Sequence, residues 1–194
     1  ARGMEYLQSI SPPILHRDLR SPNIFIRSLD VSAPVCAKVA DFGLSLQTFG
    51  KVQEGLLCWN WLAPEVLRGE SYDAKSDMYS FGMIMYEVLS RRIPYDEFYN
   101  DPCFCREMSL PDGTKMNVLQ EQTLKTAILS GGLLPTPPET TEIHAPLVDL
   151  MRCCWAAQSS ARPTSSKAVY VAQCVFNASL SGKIDLLDLS TALI

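Results

Sequence analysis

Three residues whose side chains carry oxygen donors, Asp18, Asn23 and Asp41, occur within the first 41 residues of the chain. The first two belong to HRDLRSPN at residues 16–23, and the third belongs to ADFG at residues 40–43. A carboxylate can orient a hydroxyl group and accept its proton, and carboxylate and amide oxygens bind Mg²⁺ beside phosphates. The pattern therefore predicts a phosphotransferase site, with Asp18 as the base and the other two residues as metal ligands.

The surrounding sequence supplies the bends that such a site needs. Residues 21 and 22 are Ser-Pro, which favours a sharp turn and lets Asn23 face the same cleft as the catalytic carboxylate. Residues 24–27 and 35–40 predict two short strands, and the second ends directly before Asp41. Either motif alone could be a solvated loop acid, but both motifs in this order, with the Asn between them, favour the site.

The similarity to known sequences extends beyond these two motifs. Ala-Pro-Glu follows at residues 63–65, SDMYSFG at 76–82 and Arg-Pro at 162 and 163. Together these motifs resemble the eukaryotic protein-kinase family. The run from HRDLRSPN to ADFGLS is most similar to the tyrosine-kinase-like branch and, within it, to the Roco kinases. Other Roco kinases carry leucine-rich repeats and a GTPase domain, so the resemblance suggests such regions upstream in a longer parent protein.

The resemblance implies a mainly α fold, the C-terminal lobe of a protein kinase, with short β-strands around the catalytic and DFG loops. We expect this lobe to cover residues 1–177 and residues 178–194 to form a tail or an extra helix. The N-terminal lobe is expected to be absent, because the Gly-rich loop, the strand Lys and its partner Glu have no counterpart in the sequence. We therefore expect a fragment or a truncated product that is inactive by itself.

The resemblance also implies the substrates and cofactors. These are ATP, Mg²⁺ and a protein whose Ser or Thr hydroxyl, less readily Tyr, accepts the phosphate. Arg20 would join the catalytic residues, Phe25 would lie under the adenine ring, and Ala40 would line the floor of the nucleotide site. Phe25 could equally be a core aromatic residue.

One departure concerns the segment before Ala-Pro-Glu. Ser/Thr kinases carry a Thr or Ser there that bonds the catalytic Asp, and the segment here reads Leu-Cys-Trp-Asn-Trp at residues 57–61. If Cys58 takes that position, its weak S–H donor is a poor replacement for a hydroxyl. Arg20 replaces the Lys that is more usual in Ser/Thr kinases. Because Arg also occurs there in some tyrosine kinases, the preference for Ser/Thr rests on the closer family similarity.

The resemblance assigns regulatory or structural roles to the remaining motif residues. Arg17 would pair with a phosphate on the activation segment, where Ser45 and Thr48 are the only hydroxyl side chains between Gly43 and Ala63. We hypothesise that phosphorylation at either residue switches the site on, although both could be ordinary solvent-facing hydroxyls. His16, Phe42 and Gly43 complete the two motifs.

Two further acids have expected partners. The resemblance pairs Glu65 with Arg162 in a buried ion pair that fixes the activation segment to the helical core. Asp77 lies in the apolar run from Ala74 to Leu89, which predicts a central buried helix. The resemblance has this acid accept backbone N–H bonds from the HRD loop, whereas a surface Asp near a helix start is the alternative.

The other elements are predicted from periodicity and from turn residues. The start of the chain, residues 1–8, predicts a helix, and prolines make residues 91–116 an irregular loop. A helix follows at about 117–130, then a Pro-rich connector, then a helix with Leu147, Leu150, Met151 and Cys154 on one face. Thr164 caps a last helix whose inward residues are expected to be Val169, Ala172, Val175 and Phe176.

Composition excludes several classes of function. The net charge is −4 without a basic tract, which argues against nucleic acid as the main partner. Seven cysteines and two histidines show no zinc-site spacing, so we expect reduced thiols and a cytoplasmic protein. The sequence shows neither a membrane span nor a secretory signal.

Three interpretations follow from the sequence. The first is the C-terminal lobe of an ATP-dependent protein kinase, and the second is a catalytically inactive, pseudokinase-like interaction module. The third, a structural helical domain, leaves the joint occurrence of four kinase motifs unexplained. The retained acids favour the first, whereas the missing N-terminal lobe favours the second for this chain alone.

Overall fold

The computed structural model describes residues 1–30, 32–45, 58–139 and 145–181. Within these ranges the fold is mainly helical, as predicted. The helices are α1 (Arg2–Ser9), α2 (Pro64–Leu67), α3 (Ala74–Ser90), α4 (Glu121–Gly131), α5 (Ala145–Cys154) and α6 (Ser165–Ser181). The strands are β1 (Ile24–Ile26), β2 (Ala37–Val39), β3 (Cys105–Ser109) and β4 (Lys115–Leu119), paired as two hairpins.

Helix α3 is the centre of the fold. The side chain of Asp73 caps its first turn, accepting from the backbone N–H groups of Lys75 at 2.8 Å and Ser76 at 3.0 Å. The helix ends at Arg91, whose left-handed backbone has a φ of 58°. Most of its apolar side chains are buried, which confirms the predicted central helix. Phe81, Met85 and Leu89 are half-buried, and Val88 in the last turn is 73% exposed.

Helix α5 packs closely against α3. A Cβ atom added to Gly82 would lie only 2.7 Å from Cβ of Cys154 and 3.0 Å from the Trp155 ring, so glycine permits this approach. The face of α5 differs slightly from the predicted one, because Val148 is buried and Leu147 only half-buried. Trp155 follows directly after the last residue of α5.

The predicted strands at 24–27 and 35–40 are confirmed as β1 and β2. They pair antiparallel, with Ile24 opposite Val39 and Phe25 opposite Lys38. The hairpin connects the two motif loops, because β1 starts directly after Asn23 and β2 ends just before the ADFG sequence. The two loops therefore emerge side by side.

The prediction of an irregular loop over residues 91–116 is wrong for its second half. Strands β3 and β4 form a hairpin there, with Met108 opposite Met116, and α4 begins at Glu121 rather than near 117. The turn is Pro-Asp-Gly at residues 111–113, with Gly113 at a φ of 83°. The sequence signal for this hairpin was a Gly in a tight turn between two extended segments. The nearby prolines led to the prediction of irregular structure instead.

The predicted inward face of the last helix is confirmed for Val175 but not for the other three residues. Helix α6 begins as expected, with the N–H of Lys167 donating to the Thr164 hydroxyl at 3.3 Å. Its buried apolar residues are Ala168, Val171, Val175 and Ala178. Phe176 is 39% exposed, because the small residues face the close contact with α5 and the larger ring is turned outward. The helix runs through the expected boundary at residue 177, and residues 182–194 lie outside the described ranges.

A buried ion pair joins α2 to the segment that precedes α6. Arg162 donates through Nη1 to Oε1 of Glu65 at 2.6 Å and through Nη2 to Oε2 at 2.8 Å. Its Nε donates to the carbonyl of Ala156 at 2.9 Å, and Ser76 donates to Glu65 at 2.9 Å. Burial alone would raise the pKa of Glu65, but hydrogen bonds and the charge of Arg162 outweigh it and hold that pKa below its ordinary value.

Replacing Arg162 by Ala should destabilise the protein strongly. The Glu65 carboxylate would stay buried without its main partner, which costs about 3–5 kcal/mol. Urea unfolding at neutral pH measures this loss. The matched control is Arg152→Ala, which removes an exposed pair with Asp149 and should change the free energy of unfolding by less than about 1 kcal/mol. Equal effects of the two substitutions would contradict a stabilising role for the buried pair.

The same pair should make stability depend on pH on the acid side. Because the folded state holds the pKa of Glu65 below its unfolded value, the contribution is complete above the unfolded pKa and is lost as the pH falls through the folded one. Urea midpoints measured from roughly pH 7 to roughly pH 3 should fall less steeply for Glu65→Gln than for the wild type. Parallel curves would show that Glu65 does not titrate differently on unfolding.

Candidate active site

The catalytic loop brings Asp18 and Asn23 together. Nδ2 of Asn23 donates to the backbone carbonyl of Asp18 at 2.8 Å and to its carboxylate at 3.0 Å. The short helical turn Ser21–Asn23, with Pro22 inside it, folds the amide back onto the acid. Because the nitrogen of Asn23 is committed to Asp18, its side-chain oxygen is the atom that can bind a cation.

Arg20 lies between Asp18 and Cys58. Its Nε donates to the Asp18 carboxylate at 3.2 Å, and its Nη1 donates to the sulfur of Cys58 at 3.0 Å. Cys58 thus reaches the site through a contact with Arg20. The guanidinium fills the space between a carboxylate and a weak sulfur acceptor.

The backbone of Ala40 fixes the start of the ADFG loop. Its N–H donates to the carbonyl of Asn23 at 2.9 Å, and its carbonyl accepts from Nε2 of His16 at 3.0 Å. Asp41 follows with a φ of 65° and an exposed side chain, whose Oδ1 accepts from the N–H of Gly43 at 3.4 Å. Contacts from both sides therefore hold Asp41 beside the catalytic loop.

The aromatic ring of Phe42 also contacts the catalytic loop. Its centroid lies 5.1 Å from that of the His16 imidazole, with the two ring planes tilted by 50°. The hydroxyl of Ser45 donates to the His16 carbonyl at 3.1 Å. His16 is therefore in contact with three parts of the ADFG segment.

Asp77 holds the catalytic loop from beneath. Its carboxylate accepts the backbone N–H groups of His16 at 2.9 Å and Arg17 at 3.1 Å. Burial raises the pKa of Asp77, and the hydrogen bonds that the carboxylate accepts lower it part of the way back. The acid lies in the first turn of α3 and is fully buried, so the alternative of a surface Asp is wrong.

Tyr72 is a residue of this site that the sequence analysis missed. Its hydroxyl donates to Asp77 at 2.5 Å, and its ring centre lies 5.9 Å from the guanidinium carbon of Arg17. Burial and the neighbouring Asp77 charge raise the pKa of Tyr72 well above its ordinary value, so its hydroxyl remains a donor. Its only sequence signal was an aromatic residue just before the start of α3.

The remaining predicted site residues are placed as follows. Phe25 lies on β1 with 60% of its surface exposed, so its predicted contact with adenine stays a prediction. Arg17 is buried and has a φ of 68°. Thr48 lies outside the described residues.

The donor set fits a magnesium ion. Mg²⁺ is usually held by one or two protein oxygens together with phosphates and water, rather than by a cage of side chains. Asn23 and Asp41 would supply those oxygens. Over the described ranges, no three His, Cys, Asp or Glu residues cluster as a metal site of their own, and all seven cysteines are free thiols. No helix in the described part of the chain is long and apolar enough to cross a membrane.

Comparison with known sequences identifies related proteins. The family described as "Protein tyrosine and serine/threonine kinase" matches residues 1–171. The chain is 40% identical over 166 residues to probable serine/threonine-protein kinase qkgA, covering 84% of this chain and 9% of that protein. It is 42% identical over 172 residues to probable serine/threonine-protein kinase roco11, covering 87% and 10% respectively. Both relatives are from Dictyostelium discoideum.

A mammalian protein kinase is also similar in sequence over most of this chain. Mitogen-activated protein kinase kinase kinase 7 of Bos taurus is 30% identical over 174 residues, which are 88% of this chain and 25% of that protein. The chain thus spans about a tenth of the length of the two Dictyostelium proteins and a quarter of the bovine one. These matches confirm the predicted similarity to the kinase C-terminal lobe and to the Roco kinases. The chain belongs to the protein tyrosine and serine/threonine kinase family.

Proposed function

We propose that this chain is the catalytic half of an ATP-dependent protein kinase that phosphorylates Ser or Thr, and less readily Tyr, in a protein substrate. The contact that carries the proposal is the one between the Asn23 amide and the Asp18 carboxylate, at 3.0 Å. This contact supports the proposal, because phosphate transfer to a hydroxyl requires a proton acceptor and a cation ligand next to each other. The names of the Dictyostelium relatives support the Ser/Thr preference.

In the proposed reaction, Asp18 orients the hydroxyl of the substrate and accepts its proton. The hydroxyl oxygen forms a bond to the γ-phosphorus of ATP, while the bond from that phosphorus to the bridging oxygen breaks and ADP leaves. Asn23 and Asp41 would hold Mg²⁺, which neutralises charge on the phosphates. Arg20, hydrogen-bonded to Asp18, would hold the carboxylate in a fixed orientation. Phe25 and Ala40 would form the floor under the adenine.

A second candidate is an inactive interaction module with the same fold. It is favoured by Cys58, because a thiol that contacts Arg20 replaces the hydroxyl expected beside the catalytic base. The two candidates differ in whether the retained acids support phosphate transfer.

We also infer a cytoplasmic location, supported by seven free thiols. The Roco similarity supports a parent protein with a GTPase or leucine-rich-repeat region.

Substitution of the acids should separate the two candidates. In the full-length protein, Asp18→Asn should lower phosphate transfer to a peptide by about 10²- to 10⁴-fold without loss of nucleotide binding, because a general base is removed. Asp41→Asn should weaken Mg²⁺-dependent nucleotide binding as well. Asp149→Asn, an exposed acid on α5, is the control. Wild-type protein that binds its partners but transfers no phosphate would support the inactive module.

Phosphorylation of the activation segment is the proposed switch. The Ser45 hydroxyl now donates to the His16 carbonyl, and a phosphate there would lose this donor and gain a negative charge near Arg17. Phosphatase treatment of active full-length protein should lower its turnover, and Ser45→Ala or Thr48→Ala should make turnover insensitive to the phosphatase. Intact mass reports the phosphate. Unchanged turnover after complete dephosphorylation would contradict the switch.

A further inference from the structure

Glu87 lies near the end of α3 and connects two separate loops. One carboxylate oxygen accepts from the hydroxyl of Ser21 at 2.8 Å, and the other accepts from the indole N–H of Trp61 at 2.8 Å. Each oxygen therefore has a donor from a different segment of the chain. The carboxylate is half-buried between them.

The two segments are the ones that hold the candidate active site. Ser21 follows Arg20 directly and begins the turn that carries Asn23. Trp61 ends the short helical turn that begins just after Cys58 and leads into Ala-Pro-Glu. The loops already meet where Arg20 donates to the sulfur of Cys58, so Glu87 provides a second connection between them.

The second connection is the stronger one on physical grounds. Both connections include a charged group, but the bond from Arg20 ends on a thiol sulfur, which is a weak acceptor, whereas Glu87 offers two carboxylate oxygens. Trp61 is buried, so its N–H would be left without a comparable acceptor if the carboxylate were removed. Burial raises the pKa of Glu87, and the bonds from Trp61 and Ser21 offset part of that rise.

We propose that Glu87 is a positioning residue that fixes the catalytic loop against the segment before Ala-Pro-Glu. A substrate bound along that segment then presents its hydroxyl to Asp18 at a set distance, and small displacements of such a group lower the rate strongly. The consequence for phosphate transfer rests on the proposed kinase function. The mechanical connection between the two loops does not.

The connection can be tested by amide hydrogen exchange on this chain. The amides to follow are those of Asn23, bonded to Arg20 at 3.0 Å, and Leu62, bonded to Trp59 at 3.1 Å. Ser21→Ala should speed exchange at Leu62, in the other loop, by roughly two- to tenfold, which corresponds to one lost hydrogen bond. Trp61→Phe should have the reciprocal effect at Asn23.

Controls separate this effect from general loosening. In a Glu87→Gln background, which keeps the side-chain shape but leaves only one accepting oxygen, the effect of each substitution on the other loop should be reduced. Glu107→Gln on the exposed β3–β4 hairpin should leave both amides unchanged. Acceleration confined to the loop that carries each substitution would overturn the proposal.

Kinetics of the full-length protein test the consequence. Glu87→Gln should lower kcat for a peptide substrate by about tenfold while the KM for ATP stays the same, because the acceptor and not the nucleotide is misplaced. Unchanged kcat in an active protein would overturn the positioning role. An inactive wild type would instead refute the kinase function, and the exchange measurements would then decide the connection alone.

Discussion

The buried carboxylate of Asp77 is the constraint on which the site depends. An acid without access to water costs several kcal/mol unless its oxygens are satisfied. Asp77 is satisfied by the backbone N–H groups of His16 and Arg17 and by the hydroxyl of Tyr72. Arg17 meanwhile has a positive φ, which is unfavourable for a residue with a side chain. The acid and the strained loop therefore stabilise each other, and neither arrangement is favourable alone.

From Asp77, backbone contacts extend this arrangement to Asp41. His16, held by Asp77, donates from its ring to the carbonyl of Ala40. The N–H of Ala40 donates in turn to Asn23, which reaches back to Asp18. Asp41 is next in the chain. Asp18, Asn23 and Asp41 are thus positioned by a closed set of bonds among three short segments, which explains why the motif residues must occur together.

The sequence predicts the parts of this arrangement that depend on local pattern or on a known motif. The central helix, the hairpin after Asn23 and the partners of Glu65 and Asp77 were of this kind. Tyr72 and Glu87 could not be found in the same way, because a Tyr before a helix and a Glu near a helix end are common on surfaces. Their roles arise from donors far away in sequence.

Other failures of prediction have packing or turn causes. Helix α6 contains apolar residues on more than one face, so periodicity alone did not specify its orientation. The close packing of small residues such as Ala168 and Val171 decided it. In the region of β3 and β4 the prolines suggested irregular structure, but the turn at Gly113 permits a hairpin.

The apolar and the polar side chains of helix α3 have different roles. Its apolar surface, with Gly82 at the closest point, packs against α5 and stabilises the fold. Its polar side chains bond to other segments: Ser76 bonds Glu65, Ser80 bonds the Trp61 carbonyl, Asp77 bonds the catalytic loop, and Glu87 bonds both the catalytic loop and Trp61. Each polar bond contributes only about 0.5–3 kcal/mol, far less than the burial of the whole helix. Substitution of these polar residues can therefore shift the loops that they bind while the protein remains folded. This separates the residues that keep the lobe folded from those that keep its loops aligned.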